Sequence, residues 1–191
     1  KKIVITSKQD GSVKIFNIHS GKEIKSITSE GVESARFSSD GAKIITYSED
    51  KVVVFDSELK KELRRIPIEK KGRKFESAFF SSDNTKILTT SRLYSVKNLP
   101  PSLRKPSVKQ SVVKKSAPRA SIWDASSGEL LNKIHYSDDK EIDSFSFHPD
   151  GKKMVISYRK LSSPMIEIVQ VLEGGKTTKI KEFDLSKGEG S

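Results

Sequence analysis

Side chains able to do enzymatic chemistry are sparse in this sequence. It contains no cysteine, which removes disulfides, thiolate metal sites and cysteine nucleophiles together and fits a reducing compartment. Its three histidines, His19, His135 and His148, have no i,i+4 companion and no repeated carboxylate partner, so no metal-ligand pattern is present. His148 stands in a turn where two similar segments carry Ser38 and Ser81. No Gly-x-Ser-x-Gly elbow and neither of the glycine patterns that cradle phosphates occurs, and Gly174-Gly175-Lys176 precedes a final strand rather than a helix. The aspartates fall in turns, where a short carboxylate accepts local backbone hydrogen bonds. The expectation is a chain that is not an enzyme, with no catalytic residue, cofactor, metal or small-molecule substrate.

Positive charge is the one chemistry that clusters. Lys and Arg number 36 against 25 Asp and Glu, a formal charge of +11. Between Asn84 and Trp123 there is no acidic residue but nine basic ones, which leaves 27 basic against 25 acidic elsewhere. Four of the seven prolines share this stretch, Pro100, Pro101, Pro106 and Pro118, and with its serines they oppose regular structure, so residues 95–118 read as an inserted basic loop. Arg104, Lys105, Lys109, Lys114, Lys115 and Arg119 are candidate contacts to RNA or to an acidic or phosphorylated protein, with affinity falling steeply as salt rises. Tyr94 and Trp123 flank the loop and no aromatic lies within it, so any nucleic-acid contact would be to backbone phosphates rather than stacked bases. Arg104-Lys105-Pro106-Ser107 makes Ser107 a candidate phosphorylation site whose phosphate would offset the loop's charge. The competing reading is a tolerated surface insertion with solvated charge.

The elements that hold such a loop are strands. Ile plus Val number 31 and Leu plus Ala only 17, and β-branched side chains favour a pleated sheet over a helix. Ile, Val, Leu and Phe total 51 of 191 residues, sufficient for a lean core. Short alternating runs bounded by turn residues predict strands at 2–7, 12–18, 32–37, 43–48, 51–56, 75–80, 86–91, 142–147, 153–158, 166–171 and 178–184. No apolar run approaches 18 residues, no secretory core opens the chain and no lipidation box closes it. A soluble, intracellular protein, cytoplasmic or nuclear and without membrane partners, is expected. The opening Lys1 suggests a piece of something longer.

An internal repeat narrows the all-β choices. ESARFSSDGAKIITYS (33–48) returns as ESAFFSSDNTKILTTS (76–91) and as DSFSFHPDGKKMVISY (143–158). Each is followed by a second signature: KVVVFDSELKKEL (51–63), ASIWDASSGELL (120–131) and the degenerate IEIVQVLEGGKTT (166–178). A copy of the second half alone, GSVKIFNIHSGKEI (11–24), opens the chain. Phe37, Phe80 and Phe147 end equivalent strands and are expected to fill equivalent core positions.

This pattern resembles the WD40 repeat of β-propellers. The resemblance rests on Trp123-Asp124, Phe55-Asp56 and Phe16-Asn17, on the turns at Asp40-Gly41, Asp83-Asn84 and Asp150-Gly151, and on Asp10 and Asp50 in the turns between the second and third strands. No Gly-His dipeptide precedes any repeat, so the family's buried Asp-His-Ser-Trp network cannot be complete. The resemblance implies four-stranded blades stacked around an axis, each too small to bury its own faces. It divides the chain into a partial blade (strands b to d, 1–31), full blades at 32–72, 73–138 and 139–185, and a tail at 186–191. The propellers it points to have most often seven blades, so about four visible blades imply part of a larger ring. By phase the basic loop replaces the short turn Thr46–Asp50 of the preceding blade and projects from the face that such propellers use for partners. The function implied is a non-catalytic scaffold that binds protein partners through its loop faces. Two alternatives are an RNA- or ribonucleoprotein-associated propeller that contacts phosphates through the insert, and a propeller appended to a peptidase-like enzyme.

Overall fold

The computed structural model describes residues 1–68, 73–93, 120–135, 140–160 and 163–187. They form fifteen strands in four antiparallel sheets. The first sheet has three strands in the order β1 (Lys2–Ser7), β2 (Ser12–Asn17), β3 (Glu23–Thr28). The second has β4 (Ser34–Phe37), β5 (Lys43–Tyr47), β6 (Lys51–Asp56) and β7 (Glu62–Pro67). The third has β8 (Arg73–Phe80), β9 (Lys86–Leu93), β10 (Ala120–Asp124) and β11 (Leu130–Ile134). The fourth has β12 (Lys140–Phe147), β13 (Lys153–Lys160), β14 (Ser163–Val171) and β15 (Thr177–Asp184). Every sheet is a plain meander, so neighbours in sequence pair in space.

The middle strands explain the consecutive apolar residues. Successive strand side chains point to opposite faces, and here both faces of the second and third sheets are covered. Ile44 packs toward the first sheet with Val13, Ile15 and Leu59, whereas its neighbour Ile45 packs toward the third with Val52, Val54 and Ala78. Ile87 and Leu88 repeat the division, the first facing the second sheet and the second joining Met154, Ile156 and Val169 of the fourth. The core is thus three separate layers between four sheets. The layers are pinched at their inner edges, where β1 meets β4 and β5 meets β8. The outer strands β3 and β7 are largely exposed, so the sheets splay outward as a fan.

The strand predictions omitted β10 and the outer strands β3, β7 and β11. These outer strands carry charges such as Glu62, Arg64 and Arg65, which break the apolar pattern and discourage edge-to-edge pairing. Phe37, Phe80 and Phe147 occupy matching places in the three layers but are half-buried, and the fully buried anchors are Ile15, Ile44, Ile87, Ile122 and Ile156. The pairing of the last two strands slips by one residue at the same place in all four sheets, at Ile15/Phe16, Val54/Phe55, Ile122/Trp123 and Ile168/Val169. The extra residues are Ile24, Leu63, Leu131 and Ile180. A bulge re-aims the bulged strand, and Leu63 and Leu131 pack into the layer beyond their own sheet.

Candidate functional site

The strand connections gather into two rims. One carries the turns from first to second strand and the loops from third to fourth, tied together by Ala125 N–H to the Thr85 carbonyl (2.9 Å) and Val171 N–H to the Lys152 carbonyl (2.7 Å). The other carries the turns from second to third strand and the connections between sheets, tied by Ser29 N–H to the Gly11 carbonyl (2.7 Å) and Ile68 N–H to the Asp50 carbonyl (2.8 Å).

On the first rim the repeated Ser-x-Asp turns are locked internally and to each other. Ser38 Oγ donates to Asp40 at 2.6 Å and Ser81 Oγ to Asp83 at 2.5 Å. These hydroxyls hold the carboxyls of Asp40 and Asp83 below the ordinary range, although partial burial works against the shift and is the largest influence on Asp83. Between sheets, Ser39 Oγ donates to the Ser82 carbonyl (2.7 Å), Ser39 N–H to Asn84 Oδ1 (3.0 Å) and Ser82 Oγ to the His148 carbonyl (3.1 Å). The chain of donors ends at Pro149, which stands in the place of Ser39 and Ser82 and has nothing to donate. His148 shares its turn with Asp150, 3.1 Å from its Nδ1. Among the described residues no group of three or more His, Asp or Glu is placed to hold a metal ion.

The second rim holds Asp10 and Asp50. Asp10 Oδ1 accepts the Ser12 amide at 3.0 Å, and Asp50 accepts the Ser48 hydroxyl at 2.7 Å. Lys8 donates to the Glu33 carboxylate across the first two sheets, which raises the lysine's pKa. In the third sheet β9 and β10 pair from Thr90 and Ala120 onward, and β9 continues to Leu93 against β8 alone. The segment joining Leu93 to Ala120 therefore leaves from this rim. Arg104, Lys105, Lys109, Lys114, Lys115, Arg119 and Ser107 all lie outside the described residues.

No family model and no curated protein sequence matches the chain. Solved structures do match in shape. One is dihydro-heme d1 dehydrogenase NirN in complex with DHE, with a TM-score of 0.65 and 15% identity over 95% of this chain and 34% of that one. Another is the C-terminal WD40 domain of Sif2, TM-score 0.62 and 12% identity over 97% of this chain and 46% of that one. A third is the β-propeller domain of Myceliophteria thermophila Cps50 (Swd1), TM-score 0.59 and 12% identity over 96% and 54%. The fold is a WD40-like β-propeller. The chain spans between a third and just over half the length of these propeller-containing chains.

In propeller terms the four sheets are blades, the first seen without an innermost strand. The dipeptides Phe16-Asn17, Phe55-Asp56 and Trp123-Asp124 shape the outer loops of the first three blades. Asp124 Oδ1 accepts the Ser126 and Ser127 amides (2.8 and 2.7 Å), Asp56 accepts those of Glu58 and Lys60, and Asn17 those of His19 and Ser20. In the third blade Trp123 Nε1 donates to Thr89 Oγ1 at 2.9 Å. In the second blade the Phe55 ring has no donor, and Thr46 donates to the Val53 carbonyl at 3.3 Å as Thr89 does to the Ser121 carbonyl at 3.4 Å. The fourth blade has Val169-Gln170 at this place, and its loop closes through a 3-10 turn at Glu173–Gly175. Sequence reading missed the inter-blade serine chain and the bulges, since a donor such as Ser39 resembles any turn serine until its neighbour is placed.

Proposed function

We propose that this propeller is a non-catalytic interaction scaffold that presents rim loops to protein partners. One observation carries the reading. The repeated serines and aspartates of the rim turns are engaged in shaping those turns and in joining one blade to the next, which holds the loops as platforms on a common frame. Fold alone does not decide catalysis, because a dehydrogenase shares it with the WD40 domains. The open faces of the terminal blades support membership of a larger ring. No helix among the described residues is long and apolar enough to cross a membrane.

Photo-crosslinking residues placed at exposed Lys8 and Glu49 on one rim, and at Glu58 and Ser127 on the other, test the scaffold. Discrete protein adducts concentrated at Lys8 and Glu49, and lost when residues 95–118 are removed, are expected. Absence of adducts at both rims removes the reading.

The concentration of nine uncompensated basic residues in one stretch favours a second reading, phosphate contacts to RNA. Mixed-sequence RNA should then be retained at roughly 50 mM salt and released by about 200 mM. No retention at low salt eliminates it.

A further inference from the structure

The outer clefts between blades are closed differently at each interface. Between the first and second blades, buried Leu59 of the β6–β7 loop fills the space. Between the second and third, the Arg64 side chain crosses to donate to the Ser126 carbonyl and lies against Gly128. In register, Arg64 sits opposite Val54 and the matching residue opposite Ile122 is Asn132, too short to cross. The facing β14–β15 loop contributes Gly175, seated so closely on Leu131 that an added Cβ would lie 2.6 Å from that side chain. A cleft of about 430 Å³ is left between β11 and the strands β14 and β15.

Its lining is polarised. Ile134, Ile156 and Val169 make an apolar floor with one nearly buried carboxylate, Glu167, whose charge is met by Lys140 at 3.4 Å. Lys133, His135, Lys176 and Lys179 line the same cleft as exposed residues, with the hydroxyls of Thr177 and Thr178. Lys179 is paired with Glu182 at 2.9 Å, whereas Lys133 and Lys176 have no ion-pair partner among the described residues. Two uncompensated ammonium groups beside hydroxyl donors suit a dianion, and the floor carboxylate keeps that charge at the mouth while the apolar walls take an uncharged body. We propose that this cleft binds a phosphomonoester, with Lys133 and Lys176 on the phosphoryl oxygens and the organic part against Ile134, Ile156 and Val169. The phosphate could come from a small organic phosphate or from a phosphorylated side chain of a partner, and the site does not depend on the scaffold reading.

Amide chemical shifts of the full chain titrated with inorganic phosphate, adenosine monophosphate, a phosphoserine peptide and its unphosphorylated form provide the test. Saturable shifts confined to residues 132–135 and 176–179 are expected, with an organic phosphate binding more tightly than inorganic phosphate. The tighter organic probe identifies the source. Lys133→Glu and Lys176→Glu, both exposed, should keep the fold and each weaken binding about tenfold or more, whereas Lys22→Glu on a distant loop should not. The proposal is overturned by any of four results: no saturable shift at these amides up to about 10 mM probe, equal loss in Lys22→Glu, organic phosphates no tighter than inorganic phosphate, or equal binding of the unphosphorylated peptide.

Discussion

Asp124 shows how one side chain sets a loop and makes stability depend on pH. The Ser126 hydroxyl, 2.6 Å from Oδ1, and the Ser127 and Ser126 amides hold its carboxyl at about 2, against the opposing effect of burial. An unfolded aspartate titrates near 3.9, so the folded state favours the ionised form. The resulting stability is full above about pH 4 and is lost as pH falls toward 2, where the folded carboxyl also protonates. Asp124→Asn keeps an acceptor, as Asn17 does naturally in the first blade, and removes the charge. Its melting temperature should fall below the parent's at pH 7, with the gap closing between about pH 4 and pH 2. A gap that stays constant across that window would assign the effect to geometry rather than charge.

At the scale of elements, the turn between first and second strands does two jobs. Gly41, Asn84 and Gly151 hold the same left-handed backbone, with φ of 70°, 56° and 66°. Of the two glycines only Gly151 also meets a neighbouring blade: a Cβ there would lie 2.5 Å from the Asp83 carboxylate, which Ser81 and Thr85 hold in place. Nothing lies within 4 Å of a Cβ on Gly41. Gly41→Ala should therefore cost about 1 kcal/mol for the backbone alone. Gly151→Ala should cost roughly 2–4 kcal/mol, since backbone strain is joined by displacement of an anchored carboxylate. Urea unfolding of both variants measures the difference, and equal losses would mean that the blades are not in contact at this turn.

For the molecule as a whole, the terminal blades differ from the interior ones. Ile3, opposite Phe16 on β2, faces away from the second blade together with Ile5, and both isoleucines are nearly half exposed. At the other end Val155 pairs with Ile168 and Ile166 with Phe183 on the face away from the third blade. These positions match those that form buried layers inside the stack, which supports further blades packing on both ends. Ile122→Lys, at a fully buried site, should unfold the chain or cost more than about 4 kcal/mol. Ile168→Lys, at the matching position on the open face, should cost less than about 1 kcal/mol in this chain. Thermal unfolding separates them, and a comparable loss in both would show that the open face is already covered.

The strand-rich architecture, the repeat of a little over forty residues and the aspartate-bearing turns were legible in the sequence, because alternation, β-branching and left-handed turn residues are local properties. The outer strands β3, β7 and β11 were not, because charge there serves solvent and edge protection rather than burial. The bulges at Ile24, Leu63, Leu131 and Ile180 and the inter-blade donors Ser39 and Ser82 depend on register and on a neighbour some forty residues away. The same holds for the cleft at Lys133 and Lys176. Exchange of an arginine for Asn132 leaves a space only when two blades face each other, and a lysine on β11 meets one beside β15 only through tertiary packing.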